Sequence, residues 1–180
     1  MATTAAGTPF VESSDLVANY PGVSLALANH IDTIGKVLQV VRATDSTNRS
    51  TNSATFVDVT GMSVTITPKK STSSVILIAA FRGGTVGAAG ANPDGRFLLT
   101  DSSNNDVIGG SGANPGHTVF TNAAINIAIQ APFVIFGQVT PSTISAVTYK
   151  LRFRGITTNN TAEVVNGQVA GQIYAIEVAA

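Results

Sequence analysis

The chain has 180 residues, which is enough for one domain with a short appended arm. Its ten Lys and Arg balance its ten Asp and Glu, and only 11% of the residues are charged, against about 25% in a typical soluble domain. A nucleic-acid binder needs an excess of cationic residues, and a protein that binds an anionic membrane needs a basic cluster. We therefore expect neither nucleic acid nor membrane as a partner.

The polar surface has to come from short uncharged side chains, because the sequence holds 22 Thr, 15 Ser and 13 Asn. These residues favour strands and turns over helix interiors. The absence of cysteine excludes a disulfide framework, a thiolate nucleophile and a cysteine-ligated metal. The longest apolar run, residues 75–81, is too short to cross a bilayer, so we expect a soluble product made in the cytoplasm, without membrane insertion.

The first 14 residues are mostly small and polar, and they are typical of a flexible or partner-bound arm. The next segment predicts one α-helix over residues 21–34, since Pro21 suits a first helical turn and Gly35 suits a terminus. A helix of about 14 residues is marginal alone in water, so this one must pack on the rest of the chain or on copies of itself. An apolar seam at a/d-like spacing would make that contact, formed by Tyr20, Leu27, Ile31 and Ile34.

From residue 36 onward the apolar residues recur with a period of two. Residues 62–67, 125–130 and 147–154 alternate between apolar and polar side chains, as half-solvated antiparallel strands do. A second group of segments is apolar on both faces, namely residues 37–41, 75–81, 133–136 and 173–178. We expect strands of this second group to be buried on both sides, either centrally in the fold or at a subunit interface.

Clusters of Gly, Pro, Asn, Asp, Ser and Thr separate these segments and predict turns. They occupy residues 45–52, 68–74, 92–95, 101–106, 114–116, 141–142 and 157–161. Roughly eight to ten short strands follow from this spacing, without a second helix, which is typical of an all-β sandwich or barrel. We therefore predict two parts, an arm with a helix at residues 1–35 and a β-domain at residues 36–180.

The residues that could carry chemistry are few. His30 lies on the predicted helix and His117 in a predicted turn, far apart in sequence and with no acidic cluster beside either. Residues 109–113 have the spacing of a nucleophile elbow, but Ala113 replaces the closing glycine. A pair of catalytic carboxylates, as in glycoside hydrolases, would come together only in the folded chain, so the sequence alone does not indicate one. We therefore expect a protein that is not an enzyme and that has neither a catalytic residue nor a cofactor.

Two glycine- or Asp-rich segments resemble ligand-binding loops only in part. Residues 83–90 lack the Gly-Lys-Ser/Thr ending of a phosphate loop, and we interpret them as a mobile connection between strands. Residues 101–106 place oxygen ligands as calcium loops do, but Asp106 stands where glycine is needed and no distal glutamate follows. We expect a hairpin turn there and no metal. The loops at residues 83–95 and 109–116 are candidates for recognition through hydrogen bonds and shape.

Two parts of the chain carry a resemblance to a known family. Residues 14–21 hold the pattern Asp-x-Val-x-x-Tyr-Pro and precede a Leu-Ala-x-x-Ile-Asp pattern in the helix. This order resembles the N-terminal segment of tail-fibre and minor structural proteins of tailed bacteriophages. Residues 36–41 and 55–68 look like the start of β-rich head domains in phage structural proteins. The chain differs from typical fibres in having no long shaft between the two parts.

The resemblance implies a virion component in which the N-terminal part attaches to a tail or capsid, the helix forms a threefold bundle and the β-domain trimerises as a jelly roll. We therefore assign an oligomer or attachment interface to Asp15, Tyr20, Leu27, Ile31 and Ile34. Expected partners are further copies in a homotrimer, other virion proteins and a host-surface glycan or protein.

The preferred function is that of a short tail fibre or fibre-like appendage. The alternatives are a capsid decoration or cement protein of the same β-class and, from another class, a carbohydrate-active depolymerase. An adhesion domain of the C1q or tumour-necrosis-factor type would share the fold but ordinarily carries a secretion signal.

Overall fold

The computed structural model describes residues 2–3, 9–10, 25, 37–87, 94–108, 116–119, 127–157 and 159–179. The predicted helix lies outside the described residues except for Leu25, whose side chain is exposed. The five residues assigned to an interface, Asp15, Tyr20, Leu27, Ile31 and Ile34, also lie outside them. The division at residue 35 therefore stays a prediction.

The described residues form twelve strand segments. The first two pair as a short antiparallel ladder, and the others build the main fold. In chain order they are β1 (Ala2–Thr3), β2 (Pro9–Phe10), β3 (Val37–Asp45), β4 (Asn48–Thr51), β5 (Val57–Ile66), β6 (Ser74–Gly87), β7 (Asp94–Asp101), β8 (Gly116–Val119), β9 (Ile127–Val139), β10 (Val147–Gly155), β11 (Asn160–Val165) and β12 (Gly171–Val178).

Ten of these segments join into eight strands because two pairs lie end to end. Along one edge of β6, β12 covers residues 74–80 and β11 covers residues 83–87. In the same way β3 pairs with β12, and β4 pairs with β11. The other edge of β6 pairs along its length with β9. The first sheet therefore has the order β9, β6, β11/β12, β3/β4.

The second sheet has the order β5, β10, β7, β8, and all its pairs are antiparallel. The eight strands can be numbered in chain order, with β3/β4 as strand 1, β5 to β10 as strands 2 to 7, and β11/β12 as strand 8. The first sheet then has the order 6, 3, 8, 1, and the second has the order 2, 7, 4, 5. This is the strand order of an eight-stranded jelly roll built from two Greek keys. The prediction of an all-β, jelly-roll-like sandwich is confirmed.

The two classes of sequence pattern belong to the two sheets. All four segments that are apolar on both faces lie in the first sheet, in β3, β6, β9 and β12. The alternating segments 62–67 and 147–154 supply β5 and β10 of the second sheet, and the buried residues there are the apolar ones. The segment 125–130 belongs instead to the first sheet, where its described part begins β9.

Glycines 83, 84 and 87 lie inside a strand, so the interpretation of residues 83–87 as part of a loop is wrong. The glycines are needed for close packing. A Cβ on Gly83 would lie 2.8 Å from the Phe81 ring and 2.9 Å from the Phe97 ring. A Cβ on Gly84 would overlap the Ile129 carbonyl of the neighbouring strand. Here glycine permits a central strand to pass beneath aromatic rings. A glycine-rich strand of this kind has the same composition as a glycine-rich loop, so composition alone cannot distinguish the two.

Residues 125–130 and 133–136 were expected as two strands, but the described part forms one, β9, which contains Pro132. Proline fits because β9 is paired on one side only within the described chain. In an antiparallel ladder every second residue points its N–H away from the partner strand. Gln138, six residues after Pro132, does so, since its N–H donates to the Val107 carbonyl at 3.2 Å. Pro132 shares that orientation, so its missing N–H leaves the β6–β9 ladder intact.

Three aromatic rings hold the two sheets together at the centre of the core. Phe97 of β7 is fully buried and lies 5.1 Å from the ring centroids of both Phe81 and Phe133. Phe81 and Phe133 stack on each other at 5.6 Å. Offset and edge-on pairs of this kind contribute about 0.5–1.5 kcal/mol each beyond the apolar area that they bury. The cluster therefore joins β6 and β9 of the first sheet to β7 of the second.

A buried carboxylate fixes the turn between β5 and β6. The Glu177 side chain is fully buried and accepts hydrogen bonds from Gln39 Nε2 at 2.6 Å and from the Lys69 and Lys70 N–H groups at 2.8 and 3.2 Å. Burial alone would raise the pKa of Glu177, but the hydrogen bonds outweigh it and hold that pKa below its ordinary value of 4.5. The charged form thus stabilises the fold.

Glu177→Gln is expected to destabilise the protein at pH 7 by about 1–3 kcal/mol, because an amide cannot accept all of these donors. A carboxyl whose pKa is lowered by folding contributes its full stability above pH 4.5, and this contribution is lost as the pH falls through the lowered pKa. The variant should therefore lose less stability than the wild type between pH 6 and pH 3 in urea unfolding at fixed protein concentration. Equal losses would show that Glu177 is not the group responsible.

Candidate functional site

The centre of the outer face of the first sheet is apolar, although it lies on the outside of the sandwich. Ladder partners place Phe136, Ile78 and Tyr174 in one row across β9, β6 and β12, and Arg42 ends this row on β3. A second row runs from Gln138 of β9 through Ile76 and Ile176 to Val40. We call this surface the apolar face; its residues are Val37, Val40, Ile76, Ile78, Ala80, Val134, Phe136, Tyr174, Ile176 and Val178.

Four members of the apolar face are strongly exposed. Val37, Val40 and Val134 are 57%, 56% and 55% exposed, and Phe136 is 62% exposed. Four strands at about 4.8 Å and nine residues at about 3.4 Å give the outer face of the sheet roughly 600 Å² in plane, with its polar ends included. Contiguous apolar surface with a polar border often marks an interaction site.

Polar residues border the apolar face at one end. Gln130 of β9 donates to Glu163 of β11 at 3.2 Å, across the glycine-containing part of β6. Arg82 lies on the same side of the sheet and donates to Gln168 at 2.8 Å. Between them and the apolar rows is a pocket of about 300 Å³, lined by residues that include Ala80, Val134 and Val169. An apolar centre with a polar rim is the usual anatomy of a protein interface.

The outer face of the second sheet has the opposite character. Asp58 of β5 forms ion pairs with Lys150 at 2.8 Å and with Arg152 at 2.9 Å. Burial would raise the pKa of Asp58, but the contacts with these two cations lower it. Thr65 and Thr148 share a hydrogen bond at 2.8 Å on the same face. This face is suited to water, so the apolarity of the first sheet is not a general property of the chain.

The turn after β7 is built by its own hydrogen bonds. The Asp101 carboxylate accepts the N–H groups of Ser103 and Asn105, each at 2.8 Å, and Asn104 adopts a positive φ of 70°. Burial would raise the pKa of Asp101, but these hydrogen bonds lower it. The structure thus has the hairpin turn expected from residues 101–106. No group of three or more potential metal ligands occurs among the described residues.

The other sequence candidates are only partly within the described chain. His117 lies in strand β8, opposite Arg96, and the expectation of a turn at this position is wrong. His30 and residues 109–113 lie outside the described residues. Of the two proposed recognition loops, residues 83–87 belong to β6, residues 94–95 to β7 and residue 116 to β8, and the other residues lie outside the described part of the chain. None of the described elements is a helix with the length and hydropathy needed to cross a membrane.

The apolar face was missed as a site, although its signal is present in the sequence. Strands with one solvated face alternate between apolar and polar residues. Segments 37–41, 75–81, 133–136 and 173–178 do not alternate, and they become neighbours in one sheet. The sequence indicated burial on both sides but could not show that these strands share a sheet.

Comparisons with known proteins add little. No family model matches the chain, and no curated protein matches it. One structural match is a chain in the structure of the infectious bursal disease virus Gx strain, at 12% identity and a TM-score of 0.28. The match covers 82% of this chain but only 40% of that one. A TM-score of this size supports no conclusion, so the fold rests on the strand pairings alone.

Proposed function

We propose that this protein is a non-enzymatic structural subunit of a virion, a short tail fibre or fibre-like appendage of a tailed bacteriophage, which assembles as a homotrimer through its apolar face. The observation that supports this most is the contrast between the two outer faces. The second sheet presents ion pairs and hydroxyl groups to water, whereas the centre of the first presents Ile, Val, Phe and Tyr. Such an apolar surface is stabilised when a partner buries it.

A further copy of the chain is the cover that fits best. The outer face of the first sheet, roughly 600 Å² in plane, is of the same order as the accessible area of about 800 Å² that each partner buries in a standard interface. The low charge of the chain, with 11% charged residues, suits large uncharged interfaces. The resemblance of residues 14–41 and 55–68 to phage structural proteins supplies the virion context.

Gold-labelled antibody against the protein, applied to intact particles, tests this function. Label on the tail is the expected result. Label spread over the capsid would favour the decoration protein instead, with the arm at residues 1–35 holding neighbouring shell subunits. Absence of label from particles, with the protein confined to the lysate, would overturn the proposal of a virion component.

A further inference from the structure

The exposed part of the apolar face is divided into two unlike patches. Val134 and Phe136 lie on β9 at one side of the sheet, and Val37 and Val40 lie on β3 at the other. Between them, Ile76, Ile78, Tyr174 and Ile176 are only partly exposed. We call these the β9 patch and the β3 patch. Their strand axes are three spacings apart, about 14 Å.

Symmetry limits how two such patches can be used. In a twofold dimer the subunits share one self-complementary surface, so each patch meets either its own copy or, reciprocally, the other patch, whereas every contact in a ring of three joins two different patches of neighbouring subunits. Two separate apolar patches at opposite sides of one sheet can supply the two different surfaces that each contact in a ring of three joins. A single self-complementary patch would be enough for a dimer.

We infer that the β9 patch of each subunit packs against the β3 patch of the next, closing a ring of three with the apolar faces turned toward the threefold axis. This inference rests on the proposed function, since it takes the trimer as given and specifies how it is made. The occupant of the face is a second copy of this chain, and Phe136 is the largest side chain that it brings.

The lack of native cysteine makes cross-linking a clean test. The double variants Val40→Cys with Phe136→Cys, and Val37→Cys with Val134→Cys, place one thiol in each patch. A disulfide needs Cα atoms within about 7 Å, so a pair about 14 Å apart cannot close within one subunit. Mild oxidation should convert at least one double variant into covalent trimers on a non-reducing gel, with the oxidant taking up the two electrons released by each new disulfide.

Single variants serve as the first control. Val40→Cys or Phe136→Cys alone can join at most two of three subunits, so neither should give a covalent trimer. The double variant Ser63→Cys with Ser102→Cys serves as the second control, because both residues are exposed and belong to the second sheet and its turn. It should remain monomeric on the gel under the same conditions.

The outcomes separate this inference from the proposed function. If the native mass is that of a trimer but neither patch pair gives covalent trimers, the β9 and β3 patches do not meet and only the inference fails. If the native mass is that of a dimer, both fail: cross-linking of single variants would show that a patch pairs with itself, and cross-linking of double variants alone would show that the two patches pair reciprocally. A native monomer also overturns both.

Discussion

Phe97→Ala is expected to lower the free energy of unfolding by about 3–5 kcal/mol, the range observed when a large buried aromatic side chain is removed. Phe97 is fully buried and touches Phe81 and Phe133, so the substitution leaves a cavity between the two sheets. Gly83 also packs against this ring, and glycine has no side chain that could fill the space. Denaturant unfolding at fixed protein concentration measures the loss.

Phe136→Ala is the matched control for that experiment, since it removes the same ring from an exposed position. It should leave the unfolding of the isolated subunit nearly unchanged and affect only assembly. A loss below about 1 kcal/mol for Phe97→Ala would contradict the central role of the aromatic cluster, because such a value is typical of partly exposed side chains.

Phe136→Asp is expected to dissociate the proposed homotrimer while leaving the subunit folded. The side chain is 62% exposed in the subunit, so a carboxylate is solvated there until a neighbouring copy covers it. Burying an unpaired charge at a subunit contact costs several kcal/mol. A penalty of about 3 kcal/mol at each contact would weaken that contact more than a hundredfold.

Ser63→Asp is the control for this charge, since Ser63 is exposed on β5 and its ladder partner is Lys150. An added carboxylate there faces water and a cation, so the oligomer should be unaffected. Circular dichroism of both variants should match that of the wild type, which would show that any dissociation does not come from unfolding.

The class of fold could be predicted from the sequence because alternating apolar and polar residues indicate the strands and turn residues separate them. The sequence also separated the two kinds of strand, and residues 62–67 and 147–154 behave in the sheet as expected. The wrong predictions are local, and both depend on how distant parts of the chain pack around the residue. Gly83 lies in a strand because the ring of Phe97, which is distant in sequence, needs the space. Pro132 lies in one because its nitrogen, which carries no hydrogen, points to the side of β9 that pairs with no strand in the described chain.

The candidate site could be predicted only in part for a related reason. The doubly apolar segments indicated a subunit interface or a central position as alternatives, and in the structure each strand has one side in the core and the other on the outer face of the sheet. Val75 and Leu77 point into the core, whereas Ile76 and Ile78 of the same strand point outward. Which side of a strand lacks a partner depends on segments about 60–100 residues away, and a local pattern carries no record of them.

The central claim is that a face of this jelly roll is apolar because copies of the chain cover it. Sedimentation equilibrium of the 180-residue chain, run beside Phe136→Asp and Ser63→Asp at the same concentration, tests it most directly. The wild type and Ser63→Asp should each have about three times the 18.3 kDa subunit mass, and Phe136→Asp should have the mass of one subunit. A monomeric wild type, or a Phe136→Asp variant that remains trimeric, would contradict the claim.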